Sequence, residues 1–222
     1  MTFASLRNAH EGSDVFVLGS GATLNHIDPR FFDGKITVST NLVGLLLGVR
    51  GEKAYTHSHY HENALEVALA LPEGTVVAPL GDRGFAGSPA TALPNLIYYR
   101  HVATGPEFDV ERSWVDDGLV VGSSGIHGSM HLAAHLGAAN IIMVGADCGL
   151  LDDATNHAKY VDEYGRTQSG DLIGADLAHN FSRWDAHLRM VKQKLIDVYG
   201  VRVYSLNPFV NLRLEGHSFS FG

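Results

Sequence analysis

A chain of 222 residues with 45% apolar content is long enough for one domain of the larger kind with a two- or three-layer core. Its formal charge of −8 argues against bulk nucleic-acid binding, and its lone Cys148 excludes an internal disulfide or a multi-cysteine metal site. No apolar run reaches the roughly 18 residues of a membrane span, and MTFASLRNAH lacks the charged-then-apolar order of a signal peptide, so a cytoplasmic protein with no membrane span is expected.

Asp14 to Leu18 (DVFVL) reads as a buried strand that runs into a tight turn at Gly19, Ser20, Gly21, Ala22 and Thr23. A second strand follows at Lys35 to Thr40, then a buried helix at Asn41 to Arg50 and a third strand at Lys53 to Thr56. Apolar spacing predicts a helix over His59 to Leu71, stopped by Pro72, and a strand over Thr75 to Ala78. From Pro79 to Gly118 the glycines and prolines predict mostly loop, with one strand at Leu96 to Tyr99. Regular structure returns with a helix at Ser123 to Leu136 and the most strand-like segment, Asn140 to Gly145. A polar stretch from Asp147 to Leu177 is too long for an ordinary connection, so residues 147–178 are expected to form a lid or insertion. The final helix is expected at Phe181 to Tyr199 and a closing strand at Val201 to Tyr204. Such alternation implies a single nucleotide-binding α/β domain over 1–222, Rossmann-like, with a mostly parallel sheet and helices on both faces. Ligands of such sheets sit beyond the carboxyl ends of the strands, where strand order reverses.

The residues just after each strand are therefore the candidates. Gly19 and Gly21 let backbone N–H groups approach an anion, and Thr23 adds a hydroxyl; the same residues also suit a plain strand-to-helix turn. Asn41 can pair with a ribose or base edge, or cap the next helix. Ser123, Ser124 and Gly125 open a helix whose free N–H groups attract anions, or form an ordinary N-cap. Thirteen histidines are many for this length. His57, His59 and His61 alternate, while His127, His131 and His135 lie four apart on one helical face; no HExxH accompanies them, and no metal site is expected. His57 and His127 lie closest to strand ends and are expected to touch ligand. Asp147 follows the strongest strand, where a carboxylate holds a ribose hydroxyl, a magnesium ion or a loop backbone. His157, Tyr160, Tyr164 and His179 lie in or after the polar stretch, either as surface-loop residues or as a general base and phenolic donors over a phosphate.

In order, VFVLGSGATLNHID, TVSTN, VGSSGIHGSMHLAAHLGAANIIMVGADCG and HNFSRWD with VYGVRVYSLNP resemble the bacterial sialyltransferases of glycosyltransferase family 42. They also resemble two relatives, the motility-associated sugar transferases and the archaeal 6-hydroxymethylpterin diphosphokinases. The likeness spans nearly the whole chain and is most specific at the Gly-x-Gly-x-[ST]-Leu turn and at the Ser-Gly helix start leading to a Gly-x-Asp strand end. It implies a transferase that moves a sugar, of sialic-acid type, from a cytidine nucleotide donor to an acceptor hydroxyl without a required cofactor. Ser20, Gly21, Asn41, Ser123, Ser124 and Gly125 match the nucleotide-holding places, and His179 matches the base, with His157 as its rival. Tyr160 and Tyr164 match lid tyrosines that assist the departing phosphate. The chain departs from the pattern at Cys148-Gly149, where the family has aromatics, and at His57, where it has an Asn. The diphosphokinase alternative implies ATP, magnesium and an acidic cluster, whereas Thr40-Asn41 and His57-Ser58 stand at those positions; a non-catalytic nucleotide-binding protein is a third alternative. The implied partners are a nucleotide and a sugar acceptor, with no nucleic acid, and a homo-oligomer is left open.

Overall fold

The computed structural model describes residues 1–80, 93–103, 118–122, 124–147 and 175–206, with the side chains of all of these except 61, 103 and 175–182. Its strands are β1 (Asp14–Leu18), β2 (Ile36–Thr40), β3 (Ala54–His57), β4 (Thr75–Leu80), β5 (Leu96–Ala103), β6 (Gly118–Val121), β7 (Asn140–Val144) and β8 (Arg202–Ser205). The helices are α1 (Val43–Leu47), α2 (His61–Ala70), α3 (Gly125–His135) and α4 (Ala175–Tyr199).

The strands form one eight-stranded sheet in the order β6-β5-β4-β3-β2-β1-β7-β8, and every described pair is parallel. Parallel strands need helical crossovers, which cover both faces and leave the strands apolar on both sides. In β1, Val15 and Val17 join a core with α3 and α4, while Phe16 and Leu18 pack with Val43 and Leu47 of α1 on the other face. The expected doubly covered, Rossmann-like α/β architecture is therefore the one observed, with a fully parallel sheet.

From β1 the chain winds outward to β6, then returns through α3 to β7 on the opposite flank of β1. Strand order thus reverses between β1 and β7, the place where such sheets bind ligands. The register pairs Leu18 with Val144, so the two strands end side by side.

Three expectations change. The helix over 41–50 shortens to Val43–Leu47, because Asn41 takes a left-handed φ of 53° and Gly48 ends the helix at φ 71°. The loop over 79–118 is bordered by more strand than its composition suggests: β4 extends to Leu80, β5 runs through Ala103, and Gly118–Val121 pairs with it as β6. Such a short, Gly-headed segment becomes a strand because β5 offers an edge, a tertiary cause that propensity does not carry. The last helix begins at Ala175, so four residues of the expected insertion at 147–178 are helical, and residues 148–174 lie outside the described residues.

Candidate functional site

At the switch point both strands end in glycine. The Gly19 N–H donates to Val144 O (2.8 Å) and the Gly21 N–H to Gly145 O (2.8 Å), which sews the first turn onto the end of β7. A Cβ on Gly19 would strike the Gly145 carbonyl, and one on Gly21 the Asp147 carboxylate; both glycines are required by this close approach. Buried Asp147 accepts from Thr23 twice, at Oδ2 from its N–H (2.9 Å) and at Oδ1 from its hydroxyl (2.6 Å). Of the three sequence-based options for Asp147, the geometry shows a bond to loop backbone, made together with the Thr23 hydroxyl. The N–H groups of Ser20 and Ala22 have no partner among the described residues, and Ser20 is half exposed.

The start of α3 meets this turn. A Cβ on Gly19 would lie 3.0 Å from Ile126 Cδ1, and one on Gly125 would lie 3.0 Å from Thr40 Cγ2 and 3.7 Å from Asn41 Nδ2. Helix start, glycine turn and the end of β2 therefore converge. Asn41 does not cap α1: its N–H donates to His57 O (2.9 Å), and its Oδ1 accepts from the His59 N–H (3.0 Å). Its carbonyl is spent on the chain while its NH₂ faces the helix start. The first-turn N–H groups of Gly125 and Ile126 have no acceptor among the described residues, as at any helix start without a full set of caps. Ser20, Asn41, Ser124 and Gly125 are all half exposed and form a cup rich in donors, the chemistry that holds an anion.

The histidines lie beneath this cup. His57 has no exposed surface; its Nε2 shares a hydrogen bond with the Tyr99 hydroxyl (2.9 Å), and its Nδ1 lies 3.4 Å from Ser129 Oγ, which in turn meets Thr40 Oγ1 at 2.8 Å. Gly128 leaves room for the His57 ring, because a Cβ there would collide with it. Burial, reinforced by His59 and His101, lowers the His57 pKa to about 3 and keeps the ring neutral. His127 is also buried: its Nδ1 accepts from the Ser124 N–H (3.3 Å), its Nε2 donates to Trp184 O on α4 (3.3 Å), and burial lowers its pKa to about 3. His131 accepts from the Val120 N–H (2.9 Å) and meets the Tyr199 hydroxyl (3.0 Å); burial lowers its pKa well below the usual value. His135 donates to Phe3 O (3.2 Å) and stacks on Phe3. The three histidines spaced by four along α3 thus fasten one helix to β6, α4 and the N-terminal segment. Against expectation, His57 and His127 support the cup from below rather than line it, since His57 at the end of β3 is covered by α3, and His127, on α3 itself, is covered by α4. Among the described residues no group of three His, Cys, Asp or Glu side chains stands close enough to hold a metal.

Ser123, His157, Tyr160 and Tyr164 lie outside the described residues, and His179 is on α4 with its side chain outside them. Thr40, Tyr99 and Ser129, which complete the network under the cup, escaped the sequence reading. Their only sequence signal is their type, polar residues in otherwise apolar elements.

No protein-family model matches the sequence, and no curated protein matches it. Among solved structures, the MAf glycosyltransferase of Magnetospirillum magneticum aligns over 97% of this chain with a TM-score of 0.51 and 12% identity. The chain spans only 40% of that protein's length. The sialyltransferase CstII of Campylobacter jejuni, solved with the substrate analogue cytidine-5′-monophosphate, aligns over 91% of this chain and 83% of its own, with a TM-score of 0.50 and 14% identity. At these identities the likeness establishes a shared fold, one used by two sugar-transferring enzymes.

Proposed function

We propose that this chain is a glycosyltransferase-like enzyme that binds a nucleotide-sugar donor at the β1–β7 switch point and transfers the sugar to an acceptor hydroxyl. The observation that carries the reading is the convergence of the Gly19–Thr23 turn, Asn41 and the start of α3 into one cup of donors. Gly19 and Gly21 shape the turn, and Asp147 acts from behind by holding Thr23. Ser20, Asn41, Ser123, Ser124 and Gly125 hold the donor phosphate, and His57 braces the helix that carries the last of these. A cytidine monophosphate sugar, of sialic-acid type, is the donor most in keeping with the neighbour solved with that nucleotide.

In the transfer the acceptor oxygen forms a bond to the anomeric carbon while the bond from that carbon to the phosphate oxygen breaks. The electron pair leaves with the nucleotide, and the acceptor proton passes to a base, His179 or its rival His157. Backbone donors of the cup and the phenols of Tyr160 and Tyr164 stabilise the charge that collects on the leaving phosphate, and no cofactor is required. The diphosphokinase alternative needs acidic magnesium ligands after β2 and β3. Thr40 and Asn41 there bond to Ser129 and to the His59 N–H, and His57 bonds to Tyr99, so the site gives that alternative no support.

Calorimetric titration with CMP, CDP, UDP and GDP tests the reading. CMP is expected to bind, and more weakly to Asn41→Ala; failure of every nucleotide to bind at millimolar concentration overturns it.

A further inference from the structure

Beside the cup, on the β3–β5 side of the same carboxyl edge, stands a second cluster of side chains that the phosphate site does not use. His59 follows β3 and meets two rings edge to face: Tyr60 at 5.3 Å and 79°, and His101 of β5 at 5.3 Å and 71°. Among the described side chains Tyr60 is the one exposed Phe, Tyr or Trp, at 48%. The turn that presents these rings is held firmly. The Ser58 N–H donates to Val77 O (3.0 Å), the Ser58 hydroxyl donates to Tyr60 O (2.8 Å), and the Tyr60 N–H returns a bond to that hydroxyl (3.4 Å). Because the His59 N–H also donates to Asn41 Oδ1 (3.0 Å), the cluster begins one hydrogen bond from the cup. It ends on β5, three strands from β2, a span of roughly 14 Å at the usual strand spacing.

We infer that His59, Tyr60 and His101 form the acceptor subsite and take a pyranose ring of a saccharide, an assignment that rests on the proposed function. A pyranose has an apolar C–H face and a rim of hydroxyls, and it needs a flat apolar surface flanked by small donors and acceptors. The exposed Tyr60 ring supplies the surface and a phenol. The His59 and His101 rings, in edge-to-face contact, border that surface, and an imidazole carries a polar nitrogen on either side of the ring. Holding the 58–60 turn in place before binding removes much of the ordering cost that otherwise weakens affinity for so small a ligand. The subsite's distance from the cup suits an acceptor lying end to end with the donor rather than a second part of the same nucleotide.

Saturation-transfer NMR on the full chain tests this, with lactose and N-acetylglucosamine as probes, with and without CMP, on wild type, Tyr60→Ala and His101→Gln. At least one sugar is expected to receive saturation from wild type, with its Kd rising on the order of tenfold in Tyr60→Ala, the scale of one lost aromatic contact. His101→Gln, which keeps a donor and an acceptor, is expected to lose less. Unchanged CMP affinity in both variants shows that fold and cup are intact. If CMP binds but neither sugar does, or if sugar binding ignores both variants, the subsite is refuted while the proposed function stands. If no nucleotide binds to wild type, the proposed function fails instead. Binding of an unglycosylated Ser/Thr peptide in place of either sugar, with the same dependence on Tyr60, overturns the assignment in favour of a protein acceptor.

Discussion

The two faces of the sheet hold comparable cores built from different materials. On the α1–α2 face, Phe16, Leu18, Val43, Leu47, Ala64, Val67 and Val76 fill space with apolar side chains. On the α3–α4 face the apolar packing is threaded with His57, His127, His131 and His135, all buried and all hydrogen-bonded. Apolar packing is tolerant of small shifts, whereas a hydrogen bond fixes distance and direction. The face that must hold a helix start against two strand ends is the one that uses directional bonds. Four of the thirteen histidines thus serve to position helices.

Acid is the harshest way to separate the two faces. Histidine ordinarily titrates near 6.5, and burial holds His57 and His127 at about 3 and His131 well below the usual value. Below pH 6.5 the unfolded chain takes up protons that the folded chain refuses, so the contribution is complete above that pH and is lost as pH falls toward 3. The expected slope is roughly 1.4 kcal/mol per pH unit for each histidine, or roughly 4 kcal/mol per unit for the three. Urea unfolding at a series of pH values reads it directly, and a stability that stays flat below neutrality would show that these rings are not held neutral.

Leu71→Ala, on the apolar face, is expected to cost about 2–4 kcal/mol in urea unfolding. Its CMP affinity should match wild type, because Leu71 lies between the end of α2 and the start of β4, at the edge of the sheet opposite the cup. Thr23→Val removes the hydroxyl bond to buried Asp147 and is expected to cost about 1.5–3 kcal/mol. Here CMP affinity should fall as well, and a variant that loses stability while binding CMP as wild type does would detach the turn from the phosphate site. Gly125→Ala should change stability least, by under about 1 kcal/mol, since a first-turn Ala suits a helix and the nearest atom is a methyl group. Its Cβ would nonetheless stand beside Asn41 Nδ2 in the cup, and CMP affinity measured by calorimetry should fall on the order of tenfold.

Where apolar runs are long, sequence and structure agree. DVFVL and NIIMV read as buried strands because nothing but a doubly covered sheet accommodates so many consecutive apolar residues. GLVV did not, being too brief to stand out after a Gly- and Pro-rich stretch. At the site, the strand-end positions of Ser20, Asn41 and Gly125 were legible from their order along the chain. The role of Asp147 was not, since its partner Thr23 is 124 residues away. Nor was the fate of His57: its spacing from His59 and His61 says which residues alternate, and nothing about the Tyr99 hydroxyl that meets it.

By itself the sequence determined the α/β class, the run of elements and the turns that follow the strands, because local propensity and hydrophobic period act over a few residues. The tertiary structure alone decided which of those turns meet, which carboxylate is consumed in joining them and which histidines are sealed beneath. Those outcomes depend on contacts between residues far apart in sequence, and on burial, which is a property of the packed whole and has no local signature.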